Sequence, residues 1–147
     1  MSETFTRKNW LITGISSGIG RSPAEAAQSR STLAARFMDD FFGSGVQQIA
    51  LATNDIFATV ARLGANGVEL LPIPKNYYDD LEARTDLAND EINRLRAGNI
   101  LYDREGGAEF RHVYTRTLAG GFFFEIVERR GPYGGFGAVN APIRLAA

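Results

Sequence analysis

The stretch Gly121-Phe-Phe-Phe-Glu125-Ile-Val-Glu-Arg-Arg-Gly131 sets one carboxylate, Glu125, inside a run of aromatic and β-branched residues. That composition predicts a strand. Side chains alternate across a strand, so Phe123, Glu125 and Val127 share one face and Phe122, Phe124 and Ile126 the other. A carboxylate among such neighbours is paired, protonated or bound to a cation, because burying it bare is too costly. The competing reading is a Glu on the solvent side of a half-exposed strand. Working outward, Glu109 to Thr117 predicts a second strand that enters the first through Leu118-Ala-Gly-Gly121. An antiparallel pair joined by that even-length loop sets Tyr114 opposite Glu125 and His112 opposite Val127. His112 and Glu125 then become diagonal neighbours on one face.

The 147 residues bound the rest: one domain, large enough for a core. The hydrophobic content of 44% and charged content of 22% are those of a globular protein. A net charge of -1 offers no electrostatic footprint for nucleic acid or a membrane surface. With no cysteine there is no disulfide framework, thiolate metal site or cysteine nucleophile. No apolar run approaches the ~20 residues of a membrane span, and the N-terminus lacks a signal-peptide layout. The expectation is a cytoplasmic protein without nucleic-acid or membrane partners.

Upstream, Gly45 to Thr53 predicts a strand, followed by a helix capped by Asn54 or Asp55, with Ile56, Phe57, Val60 and Leu63 on one stripe. Asn66-Gly67 closes it, and Val68-Glu-Leu-Leu-Pro-Ile73 reads as a second strand. Two helical pieces follow, the first capped by Asn76 around Tyr77 to Ala83, the second marked by Leu87, Glu91, Ile92 and Leu95. Ile100 to Arg104 and Glu109 to Thr117 form a hairpin around Glu-Gly-Gly-Ala. Leu33, Phe37 and Phe41 recur at helical spacing in the segment before Gly45. The acidic-aromatic cluster Tyr77, Tyr78, Asp79 and Asp80 is explained by helix capping at least as well as by ligand binding.

Several of these blocks resemble one family. Phe122 to Gly131 is similar to the metal-ligand strand of 4-hydroxyphenylpyruvate dioxygenases, and Gly45-Val-Gln-Gln-Ile-Ala-Leu to that family's Gly-Val-Gln-His-Ile-Ala segment. Pro72-Ile-Pro-Lys-Asn-Tyr-Tyr-Asp, Asn99-Ile-Leu-Tyr-Asp-Arg, Val113-Tyr-Thr and Gly135-Phe-Gly-Ala-Val-Asn continue the match. It runs from about Pro23 to the C-terminus and is nearest to a bacterial branch, the dioxygenase-like region of two-domain 3-dehydroshikimate dehydratases. The resemblance implies an α+β fold: a single βαβββ vicinal-oxygen-chelate module with a four-stranded, mostly antiparallel curved sheet. It also implies iron(II), or another divalent metal, held by two His and one carboxylate, with open positions for an aromatic 2-oxo acid and oxygen.

Residue by residue, Glu125 matches the carboxylate ligand. Gln48 stands where the family has a His, and the second family His lies upstream of the shared region. The metal candidates are therefore Glu125, Gln48 and His112; the substrate-binding candidates are Gln47, His112 and Phe123. An amide oxygen is a weak donor for iron(II), so the resemblance implies an impaired or inactive module. The alternative is a non-catalytic module that binds small acids or supports assembly. His112 alone reads equally as a hydrogen-bonded strand histidine, and Phe122 to Phe124 as core. A single unit leaves an apolar concave face that a homodimer would cover.

Residues Lys8 to Gly20 carry a second, shorter resemblance. Thr13-Gly14-x-x-x-Gly18-x-Gly20 is similar to the cofactor-binding start of short-chain dehydrogenases, whose glycines admit a dinucleotide at a helix N-terminus. No tyrosine here has a lysine four positions later, so that family's catalytic pair is missing. A nucleotide-binding dehydrogenase fragment is thus a third reading. The expected division is a remnant or arm over 1–22, a connecting segment over 23–44, and the module over 45–147.

Overall fold

The computed structural model describes residues 10–11, 37, 39–40, 42 and 45–146. The elements are β1 (Trp10–Leu11), β2 (Gln48–Ala52), α1 (Ile56–Ala65), α2 (Lys75–Arg84), α3 (Asn89–Ala97), β3 (Leu101–Glu105), β4 (Ala108–Tyr114), β5 (Phe123–Arg130) and α4 (Ala141–Ala146). They build one open sheet in the order β1-β2-β5-β4-β3. Three pairings are antiparallel and one, β2 with β5, is parallel, so the expected α+β fold with a mostly antiparallel sheet is present. Its four principal strands gain a two-residue fifth, β1. That strand runs antiparallel to β2, which is not the parallel start that a dinucleotide fold would need. The remainder of the arm over 1–22, with its glycine-rich turn, and Leu33 and Phe41 lie outside the described residues. No helix among the described residues is long and apolar enough to cross a membrane.

The β4–β5 register follows from the loop that joins them: His112 pairs with Val127 and Tyr114 with Glu125. The hairpin β3–β4 turns on Gly106-Gly107, where Gly106 has φ +59°. Asp55 caps α1, its side chain accepting from the Ala58 N–H at 3.0 Å. Two local expectations fail. The segment from Val68 to Ile73 makes no strand, only the bridge Leu70 to Thr115. Pro72 and Pro74 supply no N–H to a ladder, so pairing stops after Leu71 has donated to the Tyr114 carbonyl at 2.8 Å. Asn76 is not a cap either: α2 starts at Lys75 behind Pro74, whose preset φ suits a helix entry. Tyr77 and Tyr78 are not capping residues but core, and Asp79 pairs with Arg96 across to α3 at 2.8 Å.

The main core joins Ile56, Tyr78, Leu81, Ile92 and Leu95 from the helices to Val113 and Ile126 from the sheet. A smaller cluster, Ala50, Ala108, Phe110, Val127 and Tyr133, lies on the opposite face. Within the helix-covered face sits Arg111, 1% exposed. It meets Glu109 at 3.0 Å, Glu128 at 3.9 Å and Glu91 of α3, with the Tyr102 ring 5.4 Å away. Glu128 also accepts from the Ile56 N–H at 2.9 Å, a buried carboxylate on the first turn of α1. Removing one member of a buried ionic group strands the others. Arg111→Met is expected to destabilise the chain by about 3–5 kcal/mol in urea unfolding; a loss below about 1 kcal/mol would show that the three carboxylates do not depend on it.

Candidate functional site

On the face opposite the helices, β2, β5 and β4 lie side by side, and the alternation of their side chains brings Gln48, Glu125 and His112 together. Ala50 is directly across from Glu125, a small residue that leaves Gln48 room to reach along the strand. Glu125 is 5% exposed and His112 fully buried, so the solvent-facing reading of Glu125 does not hold. His112 Nδ1 lies 2.7 Å from one Glu125 oxygen, and the Gln48 amide nitrogen donates to the other. The carboxylate is therefore buried because it is hydrogen-bonded on both oxygens.

The other side of His112 meets Asn140, delivered by the turn Ala138–Asn140 that leads into α4. Asn140 Nδ2 lies 3.2 Å from the Tyr102 carbonyl and 3.1 Å from His112 Nε2, while its Oδ1 accepts from the Tyr77 hydroxyl at 3.2 Å. The Tyr102 carbonyl can only accept, so the amide must present its NH2 on that side. Nε2 of a neutral His112 then accepts from Asn140, and the proton sits on Nδ1, donated to Glu125. Gly137, at φ +64°, lets the chain pass this close: a Cβ there would stand 3.0 Å from His112 Nε2 and 2.7 Å from Phe110.

Tyr114 and Phe123 extend the face. The Arg144 guanidinium carbon of α4 lies 4.3 Å from the Tyr114 ring centre and 3.5 Å from that of Phe123. Burial raises the Tyr114 phenol, helped by the negative Glu125 beside it. Burial also holds the Arg144 guanidinium below the usual arginine range, which Tyr114 and Glu125 partly offset. The residues expected to meet a metal are thus neighbours, yet as arranged they do not fit iron(II). The imidazole nitrogen nearest the carboxylate carries a proton, the other nitrogen is taken by Asn140, and Gln48 turns its nitrogen to Glu125. Among the described residues no group of three or more His, Cys, Asp or Glu is placed to share an ion.

Of the substrate candidates, Phe123 is buried on this face beneath Arg144, and His112 is enclosed as described. Gln47 is half-buried just before β2, its carbonyl accepting from the Phe123 N–H at 3.0 Å. The apolar face expected to lie open is instead roofed by the C-terminal segment: Tyr133 stacks on Phe110 at 4.9 Å, Asn140 meets His112, and Arg144 covers Phe123. Asn140 and Arg144 were not singled out from the sequence. The available signal was a lone cation in the apolar tail Ala141-Pro-Ile-Arg-Leu-Ala, four residues after Asn140 and so on the same helical side.

Comparison with known proteins places this face in context. The chain is 47% identical over 131 residues to a 3-dehydroshikimate dehydratase of Pseudomonas aeruginosa, covering 88% of this chain and 21% of that protein. It is 34% identical over 122 residues to a 4-hydroxyphenylpyruvate dioxygenase of the same species, covering 82% and 34% respectively. The fold matches that of a xylose isomerase-like TIM barrel/4-hydroxyphenylpyruvate dioxygenase fusion protein with TM-score 0.69 and 51% identity, over 71% of this chain and 17% of that one. The chain has the fold of a dioxygenase-like module. A mutant 4-hydroxymandelate synthase from Streptomyces coelicolor has the same fold, with TM-score 0.67 and 31% identity over 77% of this chain and 33% of that one. No family model matches the chain. The dioxygenase-like module spans between one fifth and one third of the length of the curated relatives named here. None of them supports the short-chain-dehydrogenase resemblance of residues 8–20.

Two outcomes test the geometry. Long-range ¹⁵N NMR of the dioxygenase-like module at neutral pH should show His112 protonated on Nδ1 alone; an Nε2–H tautomer would mean that the Asn140 amide is turned around. Gly137→Ala should cost about 1–3 kcal/mol, since it adds both an unfavourable φ and a clash with two rings; an unchanged thermal midpoint would contradict the close approach.

Proposed function

We propose that the chain is a dioxygenase-type module that binds a small aromatic 2-oxo acid, or a related carboxylate, on the face carrying Glu125 and does not by itself turn it over with iron. The observation that carries this reading is the closed hydrogen-bond set of Glu125. A carboxylate answered by a protonated imidazole nitrogen and an amide N–H has no need of a cation. What remains of the resemblance is the substrate-binding set Gln47, Phe123 and His112, of which Gln47 is half-buried and the other two lie under the C-terminal segment, in a working unit over 45–147. If a divalent metal binds at all, Glu125 and His112 are its donors after His112 gives up its Nδ1 proton, with Gln48 as a third. A cytoplasmic homodimer completes the proposal; the exposed Phe42, Val46 and Leu118 favour a partnered surface.

A second reading is favoured by the 47% identity to a 3-dehydroshikimate dehydratase: a non-catalytic module that supports assembly of a longer protein of that type. Metal and substrate separate the two. The chain is expected to release no carbon dioxide from 4-hydroxyphenylpyruvate above a protein-free blank with added Fe(II); Fe(II)-dependent release would overturn the proposal. Gln48→His should bind Co(II) at least about tenfold tighter than the natural chain, followed by d–d absorption, because it sets an imidazole beside an existing carboxylate. If Gln48→His binds no better than Glu125→Ala, the site has lost its metal geometry as well as its ligands. A monomeric mass by light scattering at tens of micromolar would remove the homodimer.

A further inference from the structure

Arg144, a half-buried cation on the face opposite the helices, is left unanswered by the hydrogen bonds described so far. Its Nη1 is buried and has no hydrogen-bond acceptor. Its guanidinium carbon lies over the rings of Phe123 and Tyr114, whose π faces answer the cation but give Nη1 no hydrogen-bond acceptor. Glu125 is the nearest candidate acceptor by charge, yet no ion pair joins the two, and both Glu125 oxygens are already engaged by His112 and Gln48. Nor can the guanidinium drift freely. It leaves α4 four residues after Asn140, which is anchored to His112 and to the Tyr102 carbonyl. A buried charged donor without an acceptor is costly, and the cost is removed by whatever brings an acceptor.

We propose that Arg144 is the carboxylate-recognition residue of this face: its unanswered N–H receives the carboxylate of a small aromatic acid. The inference deepens the binding function proposed above and rests on it for the aromatic part of the ligand only. The chemistry selects a carboxylate. A guanidinium fork matches the two oxygens of a carboxylate, and a negative ligand balances a cation that now sits among aromatic rings. The same arrangement accounts for recognition without a metal. In a site where the carboxylate of a 2-oxo acid is not chelated, a fixed guanidinium is the remaining group that distinguishes an acid from the corresponding ketone.

The test is isothermal titration of the full 147-residue chain with three probes: 4-hydroxyphenylpyruvate, 4-hydroxyphenylacetone, in which a methyl group replaces the carboxylate, and benzoate. The natural chain should prefer the keto acid over the ketone by about tenfold or more, the scale of one charged hydrogen bond. Arg144→Gln should erase that preference, and Arg144→Lys should restore part of it. An unchanged circular-dichroism spectrum of each variant serves as the control for folding. Equal binding of acid and ketone by the natural chain, or a preference that survives in Arg144→Gln, overturns the role of Arg144 but leaves the binding function standing. Binding of benzoate alone, lost in Arg144→Gln, supports Arg144 and overturns the 2-oxo-acid reading. Binding of no acid at all overturns both.

Discussion

Strand β5 carries two buried carboxylates, Glu125 on one face and Glu128 on the other, and neither is tolerable without partners. Each layer of the molecule docks on the sheet by answering one of them. On one side, α1 brings the Ile56 N–H to Glu128, and Arg111 carries the charge across to Glu91 of α3. On the other, β2 brings Gln48, β4 brings His112, and the C-terminal segment closes over His112 through Asn140. The strand is therefore more than the middle of a sheet. It is where the polar requirements of both faces are concentrated, and the apolar packing fills in around them.

Much of this was legible before the fold was known. The β4–β5 register followed from loop length alone, since a period of two leaves no freedom once the pairing is anchored. The helices α1 and α3 followed from their apolar stripes. What escaped was of two kinds. Local rules misplaced the strand over Val68 to Ile73, where the prolines outweighed the β-branched composition, and the cap of α2. Long-range partners were invisible in another way: Glu128 and Arg111 stand among charged neighbours in the sequence, and nothing in spacing says that one exposed-looking stripe will be buried. Glu125 was noticed because it interrupts an aromatic run. Arg144 interrupts an apolar run in the same manner, and the same reasoning would have found it.

The difference between the resemblance and the structure is concentrated in one side chain. An imidazole at position 48 would offer a lone pair to the space beside Glu125; the amide present offers a hydrogen. That exchange turns a carboxylate able to share a cation into one closed by neutral donors, and the tautomer of His112 follows from it and from Asn140. A family-like strand order can thus persist while the chemistry its face supports changes, because the fold needs Glu125 to be satisfied and is indifferent to what satisfies it.

The hydroxyl of Tyr77 has a consequence on the far side of the sheet. It accepts from the Tyr102 N–H at 2.8 Å and shares its own proton between the Tyr102 carbonyl and Asn140. Tyr102 lies in β3, the outermost strand, whose outward main-chain groups would otherwise offer a template to another strand. With those groups occupied by a helix residue and a C-terminal amide, Tyr102 is closed to lateral pairing at that margin. At the opposite margin, β1 pairs Trp10 with Leu51 and Leu11 with Ala50. Any strand-to-strand association through the main chain of Tyr102 is disfavoured by its occupied groups.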